Sequence, residues 1–223
     1  MNLAKTDSMF EKFENRDYTL IIDKSFSMAD PANGGFDGGK SRWEVMREST
    51  QALARECQQY DPDGIIVYTF SGKFKRYENV TVNTVRQIFQ ENRPGGTTDL
   101  AGVLEDAFNN YFQRKANNKL KENGEIILVV TDGEPDDRRS VVKIIVDATK
   151  KLDKPEELRI CFIQVGDDSD ATKFLKSLDD DLKGKAEAKF DIVATVTVED
   201  INQENISIEE VLLNAIIFTT EIG

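Results

Sequence analysis

The chain has 223 residues, with 29 Lys and Arg against 41 Asp and Glu, no His and only two Cys. These counts exclude a histidine-based catalytic triad or dyad, a four-ligand zinc site and a disulfide framework. The formal net charge of −12 argues against nucleic acid or an anionic membrane as a partner. Because carboxylates and hydroxyls remain abundant, any bound metal is expected to be a hard cation.

The length fits one large domain, and the hydrophobic fraction of 39% is enough for a sizeable core. We expect residues 1–17 to form an N-terminal leader without the apolar segment of a secretory signal, and residues 18–223 to form a single domain. No stretch has the roughly 18 apolar residues of a membrane helix. Cys57 and Cys161 fall in apolar patterns and are predicted to be core thiols of a reduced, cytoplasmic protein.

Apolar runs of strand length alternate with helical patterns along the chain. In order, the sequence predicts a strand at 18–22, a helix at 41–60, strands at 65–70 and 73–82, helices at 84–91 and 100–112, a strand at 126–130, a helix at 141–152, a strand at 158–165, a helix at 174–182, a strand at 190–198 and a helix at 207–218. Ser41 and Glu44 form a capping box that opens the first helix, and the weakly alternating 73–82 run indicates an edge strand. The pattern predicts α/β architecture: one doubly wound, Rossmann-like domain with a mainly parallel sheet, one antiparallel edge strand and helices on both faces.

Three loops at the expected carboxyl edge of this sheet carry a matched set of oxygen ligands. They are Asp-Lys-Ser-Phe-Ser at 23–27, Gly-Gly-Thr-Thr-Asp at 95–99 and Thr-Asp-Gly-Glu at 131–134. Each alone is typical of turns and helix caps. Together they place carboxylates and hydroxyls at one edge, where open α/β sheets bind ligands. Such oxygen ligands suit Mg²⁺, and neutral hydroxyls would leave the ion able to attract an outside carboxylate.

In order and spacing, these segments resemble the metal-ion-dependent adhesion site of von Willebrand factor type A domains, over roughly residues 18–200. The resemblance implies a protein-binding module and not an enzyme. Ser25, Ser27 and Thr97 would coordinate Mg²⁺, or alternatively Mn²⁺ or Ca²⁺, while Asp23 and Asp132 would bind it directly or through water. Thr97 is favoured over the neighbouring Thr98 because it directly follows the Gly-Gly pair. An Asp or Glu of a partner protein would complete the coordination.

Intracellular, bacterial-like members of the family resemble this chain more than secreted members do, because a signal peptide and paired cysteines are not evident. They often serve larger assemblies, so the expected partners include an ATPase complex or a stress-resistance system. In relatives the last helix can switch affinity, which makes 207–218 a candidate lever or plain packing. The alternative function is a metal-assisted hydrolase using the same ion, although the sequence shows no evident nucleophile or base beside it.

Other acidic residues near these loops have simpler interpretations. Asp99 is expected to cap the helix that follows it, and residues 134–137 either favour the start of a helix or line the rim of the metal site. The acidic stretch 167–170 is a helix cap or a second cation site. Lys24 and the Gly-rich loop that follows bear on partner specificity and not on the metal site itself.

Overall fold

The computed structural model describes residues 15–31, 39–60 and 63–197. Most of the predicted leader, part of the first Gly-rich loop and the predicted 207–218 helix lie outside the described residues. Within the 41–60 helix, the side chain of Cys57 is also outside what is described. The division into a leader and one domain therefore stays a prediction.

Six strands form one sheet in the described part of the chain. They are β1 (Asp17–Asp23), β2 (Ile65–Phe70), β3 (Phe74–Val80), β4 (Glu125–Thr131), β5 (Leu158–Gln164) and β6 (Val193–Val196). The spatial order is β3-β2-β1-β4-β5-β6, and every neighbouring pair is parallel except β2 with β3. This confirms the predicted mainly parallel sheet with one antiparallel edge strand.

Helices connect the strands and cover both faces of the sheet. They are α1 (Arg42–Tyr60), α2 (Val82–Glu91), α3 (Leu100–Ala116), α4 (Arg138–Lys151), α5 (Ser169–Asp180) and α6 (Leu182–Lys185), with short 3-10 helices at Phe26–Ala29 and Pro155–Glu157. The predicted capping box is present, because the Glu44 carboxylate accepts from the Ser41 N–H at 2.9 Å and the Glu44 N–H donates to the Ser41 hydroxyl at 3.2 Å.

Several predicted boundaries and one predicted loop differ from the structure. The 174–182 helix begins at Ser169, because the Asp168 carboxylate accepts from the backbone N–H groups of residues 170 and 171, and it is interrupted at Asp181 before α6. The last strand is shorter than 190–198. Phe190 packs against the core ahead of the strand, and the Ile192 carbonyl accepts from the Ile160 N–H of β5 at 2.8 Å just before the strand begins. The predicted loop after β1 contains the Phe26–Ala29 turn of 3-10 helix.

The sheet separates two hydrophobic cores. On one face, β1 residues such as Leu20 and Ile22 pack with Trp43 and Met46 of α1 and with α2. On the other face, Ile21 packs with residues of α3, α4 and α5. The chain therefore leaves β1 toward one face and β4 toward the other. These two strands are neighbours, so their carboxyl ends form the crevice in which doubly wound sheets bind ligands.

Candidate metal site

Four of the five predicted ligands, Asp23, Ser25, Ser27 and Asp132, meet at the carboxyl edge of β1 and β4. Asp23 is the last residue of β1, and its carboxylate is fully buried. One carboxylate oxygen accepts from the backbone N–H of Ser25 at 2.7 Å, and the other accepts from the hydroxyl of Thr131 at 2.7 Å. The second bond joins the ends of the two strands across the crevice.

Burial is the main influence on the charge of Asp23. It raises the pKa of this carboxyl to about 6, although the hydrogen bonds from Ser25 and Thr131 favour the ionised form and oppose the rise. The nearby carboxylate of Asp132 raises the pKa further. A divalent cation beside Asp23 would offset this penalty, because it would place positive charge next to the buried carboxylate.

A chain of hydroxyls links the turn after β1 to Asp132. The hydroxyls of Ser25 and Ser27 are 3.2 Å apart, and the Ser27 hydroxyl donates to Asp132 Oδ1 at 2.7 Å. Ser25 and Asp132 are both buried. The tight Phe26–Ala29 turn brings the two serines to the same side. Four of the five predicted ligands thus form one hydrogen-bonded network.

Thr97 approaches this network on a separate loop, between α2 and α3. The Gly95 N–H donates to the Lys24 carbonyl at 2.7 Å, and the Phe26 N–H donates to the Gly96 carbonyl at 3.4 Å. Gly96 has a φ of +94°, and a Cβ there would lie 3.1 Å from the Ser71 hydroxyl, so glycine suits this close approach. The backbone of this loop is therefore tied directly to the turn that holds the two serines.

The two adjacent threonines have different environments. Thr97 is exposed at the edge, whereas Thr98 is buried and its backbone N–H donates to the Asp136 carboxylate at 3.2 Å. The Asp136 N–H in turn donates to the Thr98 carbonyl at 3.0 Å. This arrangement favours Thr97 as the ligand and gives Asp136 the task of anchoring the loop beside it.

Arg42, the first residue of α1, also reaches the site. Its Nη1 donates to Asp132 Oδ2 at 2.7 Å and to the Ser27 carbonyl at 3.3 Å, and its Nη2 lies 3.9 Å from the Asp167 carboxylate. The guanidinium packs against Gly166, where φ is +106° and a Cβ would lie 2.8 Å from Arg42 Cζ. One arginine thus connects the loops that follow β1, β4 and β5.

Sequence reasoning missed Arg42, Thr131 and the anchoring role of Asp136. Arg42 and Asp132 are 90 residues apart, and a basic residue at the start of a helix is normally solvated, so no local pattern identifies the pair. Thr131 had a usable signal, because it lies between an apolar strand and the site aspartate. The Thr131 hydroxyl, at the end of β4, donates to the Asp23 carboxylate at the end of β1.

The remaining acidic residues are mostly helix caps. The side chains of Asp99, Asp137 and Asp168 accept backbone N–H groups at the starts of α3, α4 and α5, respectively. Glu134 forms an ion pair with Arg138 one turn along. Asp167 interacts with Arg42 instead, and no three carboxylate or thiol groups converge within the described ranges to suggest a second cation site.

The donor set fits a divalent hard cation. Asp23, Asp132, Ser25, Ser27 and Thr97 supply oxygen atoms only. Two carboxylates match the charge of one dication, and the hydroxyls add ligands without adding charge. A tetrahedral zinc site would need nitrogen or sulfur donors that this edge does not provide.

Comparisons with known proteins agree with the fold. The sequence profile described as "von Willebrand factor type A domain" matches residues 18–134, a little over half of the chain. A comparison with curated protein sequences finds no significant match. Among the described helices, none combines the length and apolar character needed to cross a membrane.

Two solved structures share the fold. A D319A mutant of the PilB minor pilin from Streptococcus sanguinis is 14% identical with a TM-score of 0.61, over 94% of this chain and 64% of the pilin. The manganese-loaded TRAP protein of Plasmodium vivax is 13% identical with a TM-score of 0.51, over 84% of this chain and 70% of that protein. The chain therefore spans less than two thirds of the pilin. By its sequence match and its fold, the chain belongs to the von Willebrand factor type A domain family.

Proposed function

We propose that this chain is a metal-dependent protein-binding module in which Mg²⁺ links the sheet edge to an acidic side chain of a partner protein. The residues that would hold the ion are Asp23, Ser25, Ser27, Thr97 and Asp132. The observation that carries the proposal is the network from Asp23 through the two serines to Asp132. It gathers four of the five predicted ligands but only two negative charges.

The charge balance gives the partner its chemistry. An ion held by two carboxylates and several neutral hydroxyls keeps affinity for one more anionic oxygen. A protein of net charge −12 can therefore still attract a carboxylate at this site. The positive charge of the bound ion acts at the point of contact and outweighs the net charge of the protein there. The manganese-loaded state of the Plasmodium protein is consistent with Mn²⁺ as an alternative ion.

Calorimetry of Mg²⁺ binding tests the metal site. We expect Asp23→Ala and Thr97→Ala to abolish Mg²⁺ binding, because each removes one of the oxygen donors. Asp168→Asn is a matched control, since Asp168 is a carboxylate at the same edge of the sheet that caps α5 without touching the network. Unchanged Mg²⁺ affinity in both site variants would show that the ion binds elsewhere.

Capture experiments in Mg²⁺ and in EDTA test the partner. A protein retained only in Mg²⁺, and lost when a single Asp or Glu of that protein is changed to Ala, would support the proposed coordination. We also propose that the module acts in the cytoplasm within a larger assembly, such as an ATPase complex or a stress-resistance system. Copurification with an ATPase subunit and cell fractionation test that context.

The hydrolase alternative has little support at this edge. Cys161 is the cysteine whose side chain the structure describes, and it is buried in β5. Because burial raises the pKa of its thiol to about 12, Cys161 is not activated as a nucleophile. EDTA-sensitive turnover of a phosphate or ester panel would revive that alternative.

A further inference from the structure

A groove between α1 and α2 lies next to the proposed metal site. Its volume is about 810 Å³. Trp43 and Phe89 line it, with ring centroids 4.6 Å apart, and both are largely buried. Three arginines also line it: Arg47 from α1, Arg86 from α2 and Arg93 from the loop after α2. The groove thus combines an aromatic base with basic walls.

The arginines of this groove are available for a ligand. All three are exposed, and among the described side chains Arg86 and Arg93 have no carboxylate within ion-pair distance. Arg47 has a single long contact of 3.9 Å with Glu48. In a chain with 12 more acidic than basic residues, three exposed arginines grouped in one groove create a local excess of positive charge.

The acidic residues of the same groove are already engaged. Glu44 accepts hydrogen bonds from the backbone and hydroxyl of Ser41 at 2.9 and 3.0 Å, as part of the capping box. Glu48 accepts from Lys40 at 2.7 Å. These carboxylates therefore do little to satisfy Arg86 and Arg93, which remain open to an external anion.

The loop that follows α2 connects the groove to the proposed metal site. Arg93 and Pro94 line the groove, and the next three residues of the same loop lead to Thr97. Arg93 and Thr97 are four residues apart, so their Cα atoms are at most about 14 Å apart. Phe26, between the two serines, is 74% exposed, and its N–H donates to the carbonyl of Gly96 in the same loop at 3.4 Å. An extended peptide of about five residues is long enough to reach from Arg93 to Thr97.

We propose that this groove binds an acidic peptide segment of the partner, with carboxylates paired to Arg86 and Arg93 while a further carboxylate reaches the metal. This deepens the proposed function and depends on it for the metal contact. Arginine suits carboxylates because its planar guanidinium donates two parallel hydrogen bonds. A nucleic acid would bring a long line of phosphates against an acidic protein, which the net charge of −12 opposes.

Two fluorescent synthetic peptides test the groove by anisotropy. Both have a Gly-Ser background and one Asp, and the second adds three Glu within five residues of that Asp. In Mg²⁺ we expect the Glu-rich peptide to bind at least tenfold more tightly than the single-Asp peptide. The double variant R86Q/R93Q should lose this gain while its Mg²⁺ affinity, measured by calorimetry, and its binding of the single-Asp peptide stay unchanged.

A matched variant and an EDTA arm make the result decisive. K176Q/K183Q removes two exposed positive charges from α5 and α6, away from the groove, and should keep the tenfold gain. In EDTA, weak and salt-sensitive binding of the Glu-rich peptide should remain in the wild type and disappear in R86Q/R93Q.

The two proposals fail in distinguishable ways. The groove proposal would be overturned if the Glu-rich peptide bound more tightly than the single-Asp peptide by the same factor in wild type and in R86Q/R93Q. It would also be overturned if R86Q/R93Q and K176Q/K183Q lost this gain in affinity equally. Peptide binding that is identical in Mg²⁺ and EDTA, yet lost in R86Q/R93Q, would support the groove and contradict the metal contact. An oligothymidylate that competes as well as the Glu-rich peptide would overturn the assignment to a peptide.

Discussion

Replacing Arg42 by Ala tests the electrostatic design of the site. In the native protein the Asp132 side chain is fully buried, and Arg42, 16% exposed, donates to it at 2.7 Å. Removing the guanidinium leaves a buried carboxylate without its cation. Breaking such a pair from one side costs about 3–5 kcal/mol when burial is complete. In the variant, Ser27 still donates to Asp132 and water can enter the space left by Arg42. We therefore expect Arg42→Ala to lower the free energy of unfolding by about 2–4 kcal/mol.

Urea unfolding followed by the fluorescence of Trp43, the single tryptophan, measures this cost. In the double variant R42A/D132N the loss relative to D132N should fall to about 1 kcal/mol, since no charge is left unpaired. R138A is the matched control. Its ion pair with Glu134 is largely exposed, with side chains 44% and 37% accessible, and should be worth under about 1 kcal/mol.

Magnesium should change the outcome for Arg42 in a defined direction. If the ion binds at this edge, it supplies positive charge to Asp132, and the cost of R42A should fall by at least half in saturating Mg²⁺. Equal costs for R42A and R138A, or a cost of R42A that D132N does not reduce, would refute the view that Arg42 neutralises Asp132.

Three further predictions concern single residues. Burial raises the folded-state pKa of Asp23 from 3.8 to about 6. Without metal, the contribution of Asp23 to stability is therefore present at low pH and lost as the pH rises through 6. In urea titrations, acidification from pH 7 to 4.5 should stabilise the wild type by about 2 kcal/mol relative to Asp23→Asn. Cys161 is buried, and burial raises its pKa to about 12. In a Cys57→Ser variant, a thiol reagent should therefore modify Cys161 only as fast as the protein unfolds. Rapid labelling of the folded protein would contradict its burial. Gly124 has a φ of +75°, and a Cβ added there would collide with a neighbouring backbone carbonyl. Gly124→Ala should therefore lower the free energy of unfolding by about 2 kcal/mol or more in the same titrations. Gly184→Ala is the control and should cost far less, because a Cβ at Gly184 meets nothing within 4 Å.

The features predicted best from the sequence are those encoded locally. The continuous apolar run of β4 and the capping box at Ser41 each depend on a few consecutive residues, and both were confirmed. The spacing of Asp23, Ser25 and Ser27 likewise reflects one tight turn after one strand. Because parallel strands end at a common edge, the predicted parallel sheet was enough to indicate that this turn lies at the same edge as the loop after β4.

The features missed depend on contacts between distant segments. The Arg42–Asp132 pair and the Asp136 anchor join residues that are 90 and 38 positions apart. The extent of β6 was overestimated because apolar residues such as Phe190 pack against the core ahead of the strand. Periodicity reports that a residue is buried, but it does not report which backbone groups pair with it.

The hydrogen bond between Thr131 and Asp23 determines how the site can open. It joins the last residues of the two innermost strands, and β1 and β4 each have hydrogen-bonded neighbours on both sides. Loops at a sheet margin can open by local unfolding, but central strands generally open only with the whole domain. The Asp23 end of the site should therefore exchange its amide hydrogens as slowly as the core. The Thr97 loop is held through loop contacts to the turn that holds the two serines and to Asp136, so its amide hydrogens should exchange faster. A bound ion would then lose its ligands in sequence, beginning at the exposed threonine.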